Sequence, residues 1–228
     1  MSSKLPPELS LCNALQYRDL EECERLINCG TNIKDAIVFL QFRNFDINDK
    51  DTNGNSLLHF AQNLHFSLTE ELLKTDININ AKNNFDETVF HMLLKNNHFN
   101  NKFTEMYLSA NVDINAKDNN LDTIVHLLLK KFDPINILNN LKYLIDKNAD
   151  INSKNKFGKT PLDLAIFMYE DYDYGPDEMA NKIHKIFYKE CIELLVERGA
   201  CIGVLDHDSR IKLENITKIE IFEIELEI

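Results

Sequence analysis

One short phrase recurs four times along the chain, and that repetition constrains the fold more tightly than any single motif. Its copies centre on Ile47-Asn48-Asp49-Lys50, Ile79-Asn80-Ala81-Lys82, Ile114-Asn115-Ala116-Lys117 and Ile151-Asn152-Ser153-Lys154. Six positions after each lysine, a hydroxyl residue opens an apolar run: Ser56-Leu57-Leu58-His59, Thr88-Val89-Phe90-His91, Thr123-Ile124-Val125-His126 and Thr160-Pro161-Leu162-Asp163. The isoleucines step by 32, 35 and 37 residues. A fixed offset inside a loosely fixed period is the signature of stacked units, each too small to bury its apolar face without neighbours.

Within a unit, the hydroxyl suits a helix start, where it can satisfy backbone N–H groups that have no partner inside the helix. The apolar run is then a first helix, and a second follows after a turn, as in Ser67–Lys74, Lys102–Ser109 and Ile137–Asp146. Residues 5–33 read as an earlier unit, with helices over Glu8–Gln16 and Leu20–Cys29 and Gly30 just past the second. Only 14 residues separate Ile33 from Ile47, which leaves room for one helix rather than two. In the fourth unit an excess around Tyr169–Glu178 contains Gly175-Pro176, and predicts a protruding acidic, tyrosine-rich loop before a long helix from Met179 to Glu197. Beyond Ile202 the repeat fades. Ile219 to Ile228 alternates apolar and acidic residues, which favours a strand over a short capping helix.

The expected architecture is therefore all-α: a solenoid of helix-turn-helix units with projecting loops, five to six units including irregular caps. Residues 1–33 form the N-terminal capping unit and 34–47 a shortened one. Residues 48–203 hold the regular units, with an insertion near 169–180, and 204–228 form a C-terminal cap or tail.

Composition narrows the function classes. With 228 residues, 44% apolar and 27% charged, the chain can build a substantial core. A net charge of −12 opposes general affinity for nucleic acid or an anionic membrane. Cys12, Cys23, Cys29, Cys191 and Cys201 form no CxxC pair and are expected to be reduced thiols, with Cys23 and Cys29 as packing residues. Met1–Pro7 lacks the apolar core of a secretory signal and no run is long enough for a membrane span, so a cytoplasmic chain is expected. There is no phosphate-binding glycine loop, no G-x-S-x-G and no H-E-x-x-H, and hence no expected catalysis, cofactor or metal.

The quoted phrases resemble ankyrin repeats. Asp51-Thr52-Asn53-Gly54-Asn55-Ser56-Leu57-Leu58-His59-Phe60-Ala61 and Lys156-Phe157-Gly158-Lys159-Thr160-Pro161-Leu162-Asp163-Leu164-Ala165 follow the family sentence closely, and residues 5–203 are covered. The resemblance implies paired helices with structural histidines that tie the turns of their own repeats. Metal ligands would have to converge, whereas His59, His91 and His126 march along an axis. Asn44, Asn111, Asn148 and Gly199 stand where the family uses a left-handed glycine. Two departures carry expectations. Asp86 and Leu121 replace a loop glycine, and Leu121 would reshape its loop to avoid a positive φ. Leu93-Leu94 and Leu128-Leu129 replace alanines, implying wider helix spacing or an apolar inner surface.

The resemblance also implies contact residues on loop tips and on the exposed side of each first helix. Carried over by position they are Asn53 and Asn55; Phe85, Glu87 and Lys95; Asn119, Asn120, Asp122, Lys130 and Lys131; and Lys156, Phe157, Lys159, Phe167 and Met168. Lys130, Lys131, Lys156 and Lys159 should form one basic face for an acidic or mixed partner, with the phenylalanines as anchors. The expected function is a monomeric, non-enzymatic protein-interaction module that grips another protein on a concave face. The alternative is an adaptor, or an effector delivered into a host cell by an intracellular microbe or virus. Leu5-Pro6-Pro7-Glu8-Leu9, similar to the start of an F-box, would then recruit a ubiquitin ligase.

Overall fold

Each repeated hydroxyl starts a helix, and in three of the four units a histidine three residues later completes the start. The backbone N–H of Ser56 donates to Nδ1 of His59 at 3.2 Å, and the Ser56 hydroxyl lies 2.9 Å from the same nitrogen. The same two distances recur for Thr88 with His91 and for Thr123 with His126. Histidine here takes the role that Glu or Gln plays in a conventional capping box. The computed structural model describes residues 6–62, 64–96, 101–131, 136–171 and 177–217, and among these the chain is all-helical, with no strand. None of the described helices is long and apolar enough to cross a membrane.

The chain divides into two units, residues 1–119 and 120–228. In the first, α1 (Pro7–Tyr17) starts with proline in its opening turn, where a missing N–H costs nothing, and ends at left-handed Arg18. Asp19 caps α2 (Leu20–Asn28) by accepting the Glu22 N–H at 3.1 Å. The short interval before Ile47 holds one helix, as expected: α3 (Ile33–Phe42), capped by Asn32 and packed on α1 and on α5 (Phe66–Leu72). Helices α4 (Leu57–Ala61), α6 (Val89–Lys95) and α7 (Asn101–Ser109) complete the unit, with α4 packed against α5 and α6.

In the second unit α8 (Ile124–Lys130) pairs with α9 (Ile137–Asp146), and α10 (Pro161–Asp171) with α11 (Glu178–Glu197). After one 3-10 turn at Ile202–Val204, α12 (His207–Thr217) packs on α10 and α11 and buries Leu213 and Ile216. Two expectations change here. Tyr169 and Glu170 belong to α10 rather than to a loop, because no helix breaker precedes Gly175; residues 172–176 lie outside the described residues. The fading of the repeat after Ile202 does not end helical structure, and the anticipated strand at 219–228 also lies outside the described residues.

Consecutive loops inside a unit are laced by the repeated Asn and Lys. Asn48 Oδ1 accepts the Asn78 N–H at 2.6 Å and Asn80 Oδ1 accepts the Asp113 N–H at 2.8 Å, in both cases from the residue before the next isoleucine. Lys50 donates to the Lys82 carbonyl at 2.6 Å, and Lys82 to that of Lys117 at 2.7 Å. In the second unit Asn152 Oδ1 accepts the Cys201 N–H at 2.7 Å. Within the first unit the phrase recurs because a copy binds the backbone of the one that follows it. Gly54 is needed where loops approach most closely: its φ is +77°, and a Cβ there would sit 2.4 Å from Asn84 Oδ1 and 2.7 Å from the Asn84 backbone nitrogen.

Asn44, Asn111, Asn148 and Gly199 all have positive φ, at 56°, 62°, 64° and 88°, as the sequence predicts for helix ends. The expectation that Leu121 reshapes its loop is overturned. Leu121 keeps φ at 56°, as does Asp86, so the loop keeps its geometry and the leucine bears the strain. Leu121 is also 47% exposed and therefore recovers little by packing. Leu121→Gly is expected to stabilise the protein by roughly 0.5–1 kcal/mol, the relieved strain outweighing glycine's added unfolded-state entropy. Denaturant unfolding should show a higher midpoint at unchanged slope.

Leu93, Leu94, Leu128 and Leu129 are all buried. They fill core and leave no exposed apolar surface on the inner face at these positions. Cys12, Cys23 and Cys191 are buried packing thiols, and burial pushes Cys23 and Cys191 up to about 12, far from thiolate reactivity at neutral pH. Cys29 is exposed, contrary to the packing role expected of it, and Cys201 is exposed as well.

Candidate functional site

Four of the expected contact residues, Lys130, Phe157, Lys159 and Phe167, converge on one groove of about 390 Å³ beside α10 in the second unit. The 156–159 turn and the exposed side of α10 form one flank, and the first turns of α12 the other. Its floor is apolar through Leu164 and Ile166, and Phe157 and Phe167 are 74% and 54% exposed at its edge. Large aromatics left this open beside an apolar groove are the usual raw material of an interface core.

The turn that presents Phe157 is set by Asn155. Its buried side-chain oxygen accepts the N–H groups of Phe157 and Lys159 at 3.0 and 3.1 Å, and its amide donates to Asp122 at 3.0 Å. Thr160 then starts α10 with Asp163 where the other units have histidine. The Thr160 N–H and hydroxyl donate to Asp163 Oδ2 at 2.9 and 2.8 Å.

Charge around the groove is internally balanced. Lys159 lies 3.3 Å from Asp206 and 3.7 Å from Asp163, joining the starts of α12 and α10. Lys212 pairs with Asp208 at 3.3 Å, and Lys130 with the buried carboxylate of Asp122. Asp206 accepts the Ser209 N–H at 2.8 Å, and this bond, with help from the Ser209 hydroxyl and Lys159, holds its carboxyl down at about 2. Lysines and aspartates each appear three times in the lining, so the groove offers apolar surface framed by neutralised pairs.

The basic face expected from Lys130, Lys131, Lys156 and Lys159 is therefore not a free one. Lys130 and Lys159 are committed to aspartates of the same chain, whereas Lys156 is exposed and its backbone N–H donates to Asn120 at 2.7 Å. Lys131 is half-buried at the end of α8. Three residues anticipated as contacts are buried and face inward: Glu87, Asp122 and Met168. The two carboxylates stand just before a helix cap, where side-chain amides and a lysine eight positions on satisfy them: Asn83 and Lys95 for Glu87, Asn155 and Lys130 for Asp122. Met168 follows Phe167 in α10, and a helix turns one of two neighbours inward.

A scan against protein-family models finds no match, and no curated protein matches the chain. In the first unit, Asn53, Phe85, Lys95 and Asn119 are exposed and Asn55 half-buried, with Phe85 the exposed apolar group among them. In the second, Asn120 is exposed at the tip that contacts the 156–159 turn through its carbonyl. Among the described residues no group of three or more His, Cys, Asp or Glu is placed to hold a metal ion. The α12 wall of the groove had one signal in the sequence: Asp206, three positions before Ser209, opens a run without Gly or Pro up to Thr217.

Proposed function

We propose that the chain is an ankyrin-type repeat protein that works as a protein-interaction module without catalysis, and that its partner seats an uncharged apolar or aromatic segment in the α10–α12 groove. The observation that carries this reading is the combination of two open phenylalanines with ion pairs already closed around them. A charged partner would have to break those pairs, whereas an apolar one loses little and gains the aromatic surface. The ankyrin assignment is supported by the recurrent box of hydroxyl and histidine and by the Asn and Lys lacing between loops. The groove lies on the loop-tip and first-helix side of its unit, which that family uses as its concave binding face.

The test is affinity capture from the parent cells with wild type and with Phe157→Ala/Phe167→Ala. Both side chains are exposed, so circular dichroism and the melting temperature should be unchanged, while the partner captured by wild type should bind the variant at least about tenfold more weakly. Retention of every partner by the folded variant would sink the groove as the binding site. A lysine-reversal variant is a poorer probe, since Lys130→Glu would strand the buried Asp122 carboxylate and destabilise the fold itself.

A further inference from the structure

We propose that the outer face of α11 is a second docking surface, built for an acidic amphipathic helix of a partner protein. The inner face of this 20-residue helix buries Tyr188, Cys191, Ile192 and Leu195. Its outer face carries Lys182, Lys185 and Lys189, spaced three and four residues apart and so aligned in one stripe. With Tyr169, Asn181 and Ile186 they line a shallow hollow of about 440 Å³, and among the described residues none of its lining is a carboxylate.

In a chain of net charge −12 such a hollow stands out, and it differs from the α10–α12 groove in what its lysines do. Among the described residues neither Lys182 nor Lys185 has a carboxylate within ion-pair distance; Lys185 sits 5.5 Å above the ring of Tyr169. Lys189 reaches Glu193 at 3.8 Å, an exposed pair of the kind that exchanges partners readily. Beside the stripe, Met179, Ile183 and Ile186 are exposed, so positive charge and apolar surface run together along the helix.

Two features select the occupant. Whole-molecule repulsion opposes long polyanions such as nucleic acid or an anionic bilayer, but weighs little on a short segment with a few carboxylates. Phosphate backbones would also leave the exposed isoleucines unused. A second helix shares the axial rise of α11, so carboxylates repeating every three or four residues on one face meet the lysines in register, over roughly 10 Å of axis. Its adjoining apolar stripe covers Ile183 and Ile186. Nothing in this surface depends on the α10–α12 groove.

The experiment measures fluorescence anisotropy of a labelled synthetic helix, with glutamates on one stripe and leucines on the next, titrated with the full chain. Saturable, salt-sensitive binding is expected, weakened about tenfold or more by K182E/K185E/K189E and unchanged by Phe157→Ala/Phe167→Ala. K182Q/K185Q/K189Q, which adds no charge, should give a smaller loss and guards against misfolding of the reversal variant. Any of four results overturns the proposal: no saturable binding to wild type, equal binding of a scrambled peptide, tighter binding of single-stranded DNA or phosphatidylserine vesicles, or an unchanged affinity in both lysine variants.

Discussion

Leu128→Ala is expected to lower the free energy of unfolding by about 3 kcal/mol, and Leu93→Ala by a similar amount, because each removes a fully enclosed side chain and leaves a cavity. Leu128 is 1% exposed on α8, which packs between α9 and α10, and Leu93 has no exposure on α6. Alanine is the residue the ankyrin resemblance prescribes at these positions, so a substitution toward the family pattern should here be harmful. Guanidinium unfolding of each variant measures the effect; a midpoint within error of wild type would mean that the neighbouring helices close over the space. The generic rule that moves toward a family consensus stabilise fails where the neighbours have grown around a larger residue.

His59→Ala should cost about 2–3 kcal/mol, since it removes two buried hydrogen bonds and leaves a void. Nδ1 of His59 accepts from Ser56, and Nε2 lies 3.1 Å from the carbonyl of Glu87 in the next loop. That pattern fixes the neutral tautomer with its proton on Nε2, because Nδ1 must stay an acceptor. Burial, the larger cause, accordingly holds the His59 pKa below its ordinary value of 6.5, with Lys50 adding to the depression. The sign follows. Below about pH 6.5 the unfolded chain takes up a proton that the folded chain refuses, so stability is full above that pH and falls as pH drops toward the folded-state pKa, by up to ~1.4 kcal/mol per pH unit for this one group. Urea midpoints between pH 5 and pH 7.5 should show the decline, and His59→Gln should flatten part of it while keeping much of the side-chain volume. A His59→Gln profile parallel to wild type would remove His59 from the acid response.

The helices of the repeated stretch and their order, up to α11, were legible because caps, periods and left-handed positions are written locally. Asn44, Asn111 and Asn148 end helices as their type allows, and the single helix over Ile33–Phe42 follows from chain length alone. What was not legible depends on which way a side chain turns after packing. Glu87 and Asp122 look like loop-tip charges in the sequence, and only the amides of Asn83 and Asn155 reveal them as buried. Phe157 and Phe167 were correctly placed outside, yet the wall they face belongs to α12, in a stretch where the repeat had ended. The lysine cluster misled for the same reason, since position in a repeat says nothing about a carboxylate arriving from elsewhere, such as Asp206.

Asp163 has one more consequence. His59, His91 and His126 each reach the backbone carbonyl of a following loop at 3.1 Å through a ring nitrogen that can donate. A carboxylate at that position caps its own helix equally well but has no proton to pass on. The succession of enclosed histidine ties therefore stops at α10, and beside the apolar packing of Leu213 and Ile216 the polar tie onward to α12 is the pair of Lys159 and Asp206, whose side chains are 44% and 58% exposed. Mobile ions screen such an open pair strongly and a buried N–H···O bond hardly at all. Ionic strength thus acts selectively on the seam that closes the apolar groove, leaving the histidine-tied seams as they were.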